Sequence, residues 1–225
     1  MFKEGEIPWN RKQINIPEKN ENLAEFIGIM LGDGNIYVNE KYKAYQVKIV
    51  GDFYKDFIYL NNYVKKLIIN NFSISPIFYK RKRDNGLDIK LNSINLVKSL
   101  LDLGLKSGDK IKNQVTIPDW IYKKEKYLVS CIRGLFDTDG SVYELLPNWP
   151  GLFQITFTNK NMTLLQDTRK ALLKLKIKVS NISNLNSKDS TPRIYITKKE
   201  EIKKFLRKVG FSNPKHLNKL KSEIL

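Results

Sequence analysis

Two stretches of this 225-residue chain are copies of each other, and that duplication limits its folding more than any other feature. LAEFIGIMLGDGNIYV (23–38) and VSCIRGLFDTDGSVY (129–143) align so that Gly28 meets Gly134, Asp33 meets Asp139 and Gly34 meets Gly140, each pair 106 residues apart. LDIKLNSINLVKSLLDLGL (87–105) lies over RIYITKKEEIKKFLRKVGF (193–211), with Gly104 and Gly210 at the same separation. YQVKIV (45–50) lies over FQITFT (153–158) at a separation of 108, which a two-residue difference in loop length explains. The chain therefore reads as one unit made twice.

Within each unit the apolar period changes. Residues 23–32 read as a helix, whereas Tyr45, Val47 and Ile49 alternate with Gln46 and Lys48 as in a half-buried strand. Leu87, Ile89 and Leu91 alternate in the same way, and 93–103 returns to a helical pattern. In the second copy Phe153, Ile155, Phe157, Ile194 and Ile196 should face a core, leaving Gln154, Thr156, Arg193, Tyr195 and Thr197 on a polar face. One such unit would leave its first helix uncovered, so two units should pack helix to helix. The expected organisation is an N-terminal extension (1–22), a first repeat (23–118) and a second repeat (119–225). The second repeat starts with a linker in which Pro118 resists helix and Asp119 caps the helical segment after it.

The two motif helices carry stripes of small residues, Ala24, Gly28 and Gly32 in one and Ser130, Gly134 and Thr138 in the other. Glycine inside a helix costs about 1 kcal/mol relative to alanine, and close approach of two helix backbones supplies the reason for accepting it. Gly34 and Gly140 stand where each helix should end, at the left-handed position that favours glycine. Asp33 and Asp139 directly precede them, facing the negative end of a helix dipole and, across a two-fold axis, each other. A divalent cation removes both objections, because carboxylates and the helix-end carbonyls of Gly32 and Thr138 are hard oxygen ligands suited to Mg²⁺. Asp137 has Leu31 as its counterpart, so a symmetric site uses only the second aspartate of each motif.

Charge narrows the partner. Forty Lys and Arg against 23 Asp and Glu give a formal charge of +17, spread along the chain, which suits a polyanion. Composition alone leaves DNA, RNA, a ribosomal surface or simple solubility open. Cys131 is the single cysteine, which excludes an intramolecular disulfide and a Cys-rich zinc site. No window approaches a membrane-spanning run, and the expected location is the cytoplasm, or an organellar matrix if the gene is organellar.

FIGIMLGDG (26–34) and IRGLFDTDG (132–140) resemble the nine-residue signature of the LAGLIDADG homing endonucleases, with two motifs in one chain as in the single-chain members. The resemblance covers most of residues 23–216 and implies an α+β fold of two pseudo-symmetric αββαββα units, with saddle-shaped antiparallel sheets packed through the two motif helices. It also implies a monomer that cleaves both strands of a long asymmetric double-stranded DNA site, using Mg²⁺ or a similar divalent cation. Asn159 and Lys160 lie where the family often carries an amide and a lysine that order water, but their counterparts are Gly51 and Asp52, so the two centres are expected to differ. Lys110 lies in a turn where relatives place basic residues near the scissile phosphates; the second copy offers Lys215 or His216. The outward residues Gln46, Lys48, Lys90, Gln154, Thr156, Arg193, Tyr195 and Thr197 are suited to base edges, and Lys80, Arg81, Lys82 and Arg83 in the tract FYKRKRDNG (78–86) to phosphate. Two rivals keep the same fold: a maturase that binds intron RNA, and a DNA-binding regulator with a silent site. Retention of both Asp33 and Asp139 favours cleavage.

Overall fold

The computed structural model describes residues 14–183 and 190–220. The first 13 residues of the expected N-terminal extension lie outside them. The first unit runs α1 (Glu21–Gly32), β1 (Gly34–Asn39), β2 (Ala44–Asp52), a helical stretch made of α2 (Phe53–Ile58), a π-helical turn (Tyr59–Val64) and α3 (Lys65–Phe72), then β3 (Ile77–Lys80), β4 (Gly86–Asn92) and α4 (Ile94–Asp102). A 3₁₀ turn (Asp119–Lys123) leads into the second unit: α5 (Glu125–Asp139), β5 (Gly140–Leu145), β6 (Trp149–Thr158), α6 (Met162–Lys174), β7 (Arg193–Ile196), α7 (Lys199–Lys208) and the short α8 (Pro214–Leu217). Asp119 is the first residue of the 3₁₀ turn and not its cap, a place that falls to Pro118.

Both sheets are antiparallel, with strand order β1-β2-β4-β3 in the first and β5-β6-β7 among the described residues of the second. Their registers correspond: Gly34 faces Ile49 and Gly140 faces Phe157, which reproduces the separations of 106 and 108. The last strands correct the sequence alignment. Ile89 pairs with Ile49 and Ile194 with Phe157, so β7 lies 105 residues after β4 and not 106. Helix α7 has one residue more than α4, and the extra residue restores the separation of 106 by Gly210. Tyr45, Val47, Ile49, Leu87, Ile89 and Leu91 face one buried core side, and Phe153, Ile155, Phe157, Ile194 and Ile196 the other. Among the described residues no helix is long and apolar enough to cross a membrane.

The helices α1 and α5 meet backbone to backbone. A Cβ built at Gly28 would lie 2.1 Å from the carbonyl oxygen of Cys131, and one at Gly134 would lie 2.3 Å from that of Glu25. At Gly32 the obstacle is the Thr138 hydroxyl, 2.0 Å away. The stripes of small residues are thus the contact itself.

Gly34 and Gly140 are glycines for a different reason from the one expected. Neither adopts a positive φ; Gly140 is extended at φ −81°, ψ 160°. The chain turns from helix into strand so sharply that a Cβ at Gly34 would lie 2.5 Å from Met30 Cα, and one at Gly140 2.3 Å from the Phe136 carbonyl oxygen. The left-handed glycines are Gly104 and Gly210, just after α4 and α7.

Gly28→Ala and Gly134→Ala should each destabilise the fold by about 1–3 kcal/mol or more, because backbone has little room to yield. Urea denaturation measures this, and a wild-type midpoint for both variants would contradict the backbone contact.

Candidate active site between the two motif helices

Asp33 caps the C-terminal end of α1, its N–H donating to the Ile29 carbonyl, and Asp139 ends α5. The tight glycine contacts that join the helices bring these two ends together, and Asp139 raises the pKa of Asp33 through its charge. Burial is the larger cause and, with Asp139, pushes the Asp33 carboxyl up to about 7. Burial also raises Asp139, against Lys110, a hydrogen bond from Asn159 and Lys215. Both carboxyls remain partly open to solvent.

Two lysines flank the pair. The Lys110 ammonium donates to the Leu31 carbonyl at 3.0 Å and to the Gly32 carbonyl. It therefore takes the backbone oxygen of Gly32 that was expected to meet a cation. The Thr138 hydroxyl donates to the Gly134 and Leu135 carbonyls at 2.9 Å, within its own helix. On the other side Lys215 donates to Asp56 Oδ1 at 2.8 Å, and its charge lowers both Asp33 and Asp139. Lys215 is thus the cation of the second post-helix turn. His216 is buried instead, its Nε2 3.3 Å from the Asp137 carbonyl and its pKa lowered to about 4 by burial.

Each of these turns is held by both units. Asn161, the N-cap of α6, donates to the carbonyls of Val115 at 2.8 Å and Lys110 at 3.3 Å. Asn213 caps α8 and donates to Asp56 Oδ1 and to the Asp137 carbonyl, each at 3.2 Å. The N-cap asparagine followed by proline is a legible helix start in SNPKH. Asp56, by contrast, had no signature in the sequence.

Asp137 is fully buried and accepts from the backbone N–H groups of Ser212 and Asn213 at 3.0 Å, so it anchors this turn and stands outside the carboxylate pair. Beside it a buried network missed by sequence reasoning ties Glu25 to Tyr63 (2.7 Å), Arg133 (3.2 Å) and Ser212 (3.1 Å). Its counterpart position in the second copy is Cys131, and periodicity gave no reason to separate Glu25 from other surface glutamates.

Asn159 Nδ2 donates to Asp139 Oδ2 at 2.8 Å, as its expected place near the metal site requires. Lys160 is exposed, and the cations that bear on Asp139 are Lys110 and Lys215. In the first unit Asp52 caps α2 through Tyr54 and Lys55 N–H.

The polar sheet faces carry matching rows. Tyr37 pairs with Gln46, which donates to Asn92 at 2.8 Å; Tyr143 pairs with Gln154, which donates to Thr197 at 2.9 Å. The neighbouring row differs in charge: Lys48 opposes Lys90, whereas Thr156 opposes Tyr195. Thr156 is buried beneath Tyr143 and Gln154, so it supports that row and is not available to a base edge. Arg193, Tyr195 and Thr197 keep exposed or half-buried positions. The basic tract divides: Lys82 and Arg83 are exposed at the β3–β4 tip, Arg81 is bonded to Asp88 at 2.6 Å, and Lys80 lies on the other side of the strand, 3.9 Å above the Phe53 ring.

The profile of the LAGLIDADG-like domain matches residues 126–210, which hold the second motif and its sheet, and the first unit repeats that architecture. The chain belongs to the LAGLIDADG family. Its fold is similar to that of the homing endonuclease I-DmoI solved in complex with DNA and Mn, with a TM-score of 0.59 at 18% identity over 84% of this chain and 96% of that one. I-WcaI bound to its DNA recognition sequence gives 0.60 at 18% identity, over 89% and 86%. Among curated relatives, an uncharacterised protein of Methanocaldococcus jannaschii is 27% identical over 91% of this chain and 72% of its own length. The replication factor C small subunit of the same organism is 26% identical over 97% of this chain, which spans only 12% of that protein.

The raised carboxyls set a pH signature. A carboxyl whose pKa rises on folding holds its proton more tightly in the folded state, so its contribution is complete below the ordinary carboxylate range and is lost as pH rises through the folded pKa. Burial pushes Asp137 up to about 7, as it does Asp33. In chelator, the wild type should lose stability between pH 4 and about pH 7, and Asp137→Asn should lose less over that interval. Denaturant unfolding at several pH values tests this, and parallel profiles would contradict it.

Proposed function

We propose that this chain is a site-specific DNA endonuclease that hydrolyses a phosphodiester on each strand of a long asymmetric duplex, with a divalent cation, Mg²⁺, held by Asp33 and Asp139. One observation carries the reading: two aspartates from separate units converge at the ends of packed helices, flanked by Lys110 and Lys215. A regulator or an RNA chaperone has no use for a carboxylate pair in so basic a chain. The pair fits a hard cation, since burial and mutual repulsion leave it needing positive charge and its donors are oxygens.

When bound, the cation would polarise the scissile phosphate and lower the pKa of a water beside it. The chain's own residues do the rest. Asn159 orients the Asp139 carboxylate. The lysine ammoniums offset charge that grows on the phosphate oxygens. Gln46, Lys48, Lys90, Gln154, Arg193, Tyr195 and Thr197 would meet the groove, with Lys82 and Arg83 at phosphates. A single chain supplies both carboxylates, so a monomer suffices. I-DmoI and I-WcaI, whose fold this chain shares, were solved with DNA, which supports a duplex as the partner.

Asp33→Asn and Asp139→Asn should each lower double-strand cleavage by about 10²–10³ or more, with target affinity in Ca²⁺ retained. A screen of purified protein with Mg²⁺ against randomised duplexes supplies the substrate. Wild-type rates in both variants would refute the assignment.

Affinity should also fall by roughly 10³–10⁵ between 50 and 200 mM salt if about 6–10 phosphates are contacted. Fluorescence anisotropy in Ca²⁺ reads the slope, and a flat profile would exclude an extended phosphate interface.

A further inference from the structure

The two lysines beside the carboxylate pair are held in different ways. Lys110 is fixed by backbone carbonyls of its own unit, at Leu31 and Gly32. Lys215 reaches across to the other unit and is fixed by a carboxylate, Asp56. It lies in a four-residue helix, and its side chain is three-quarters buried.

Asp56 is itself immobilised. Its Oδ2 accepts from the Asp52 N–H at 2.9 Å, and its Oδ1 accepts from Lys215 at 2.8 Å and Asn213 at 3.2 Å. Room for it depends on Gly51: a Cβ there would come within 3.1 Å of Asp56 Cβ and 2.7 Å of Leu60 Cδ1. At the equivalent place in the second copy stands Asn159, which bonds Asp139 directly. The position 108 residues after Asp56 is Leu164, which is buried. One half therefore spends its post-strand position on an amide for the aspartate. The other leaves it empty of side chain and admits a carboxylate that holds a lysine.

We infer that Asp56 is a positioning residue that holds Lys215 beside the carboxylate pair, and that the two cleavage centres are unequal because only one of them depends on such a holder. The inference rests on the nuclease reading proposed for this site. Lys160, exposed and apart from the pair, has no part in this inequality.

The test is single-turnover cleavage of a target duplex labelled on each strand in turn, with Lys215→Ala, Asp56→Ala and Asp56→Asn beside the wild type. Asp56→Ala and Lys215→Ala should slow the same strand by about tenfold or more, with the other strand within about twofold, since only one centre loses a placed charge. Asp56→Asn keeps one acceptor oxygen and should lose less than Asp56→Ala; if Asp56→Ala does not fold, Asp56→Asn carries the comparison. Equal slowing of both strands would assign Asp56 a merely structural role. No change, or slowing of the strand that Lys215→Ala spares, would also overturn the inference. If the wild type cuts neither strand, the nuclease reading fails and takes this inference with it; if it cuts both and the expected strand bias is absent, only the inference fails.

Discussion

Everything at the candidate site depends on how closely α1 and α5 approach. Gly28 and Gly134 touch the opposite backbone reciprocally, through the carbonyls of Cys131 and Glu25, so the helices lie nearer than ordinary side chains allow. That approach sets how near their C-terminal ends come, and Asp33 and Asp139 are at those ends. Carboxylates so placed repel each other and lose solvent, which drives the Asp33 pKa to about 7. The helix contact is thus the origin of the site's electrostatics as well as of the fold. Glycine weakens each helix by itself, but here it permits dispersion contact along the whole interface.

The duplication supplies a second constraint, and its departures are as informative as its matches. Strand registers, motif glycines and the Tyr–Gln rows repeat from one unit to the other. Charge does not. The first sheet sets Lys48 against Lys90, the second sets Thr156 against Tyr195, and the buried Glu25, Arg133 and Asp137 network has no counterpart in the other half. Two fused copies are free to diverge because each meets different surroundings, whereas a symmetric dimer of identical chains is not. An asymmetric partner is the natural consequence, and the unequal lysine settings at Lys110 and Lys215 obey the same logic.

The crossed turns explain how two units become one site. Asn161 of the second unit holds the Lys110 turn of the first, and Asp56 of the first unit holds the Lys215 turn of the second. Buried polar groups of this kind are costly unless each finds its partner. Either unit alone would leave Asn161 or Asp56 short of one, so the polar contacts reinforce what the glycines begin.

The sequence by itself determined the duplication, the two strand patterns, the helix pair and the equivalence of Asp33 with Asp139, because periodicity and repeated small residues report directly on which faces are buried. It also set Asp137 apart, since its counterpart is Leu31. Three matters needed the tertiary structure. Gly34 and Gly140 are required by a steric approach four residues back along the chain and not by a left-handed turn, and both reasons leave the same residue in the sequence. Lys215 was decided over His216 by a one-residue change in helix length that the repeat alignment absorbed. Asp56 and Glu25 acquire their roles from partners more than 100 residues away, Lys215 and Arg133. A carboxylate's local sequence says nothing of what charge will be folded against it, and in a chain with 40 basic residues only the packed geometry selects the partner.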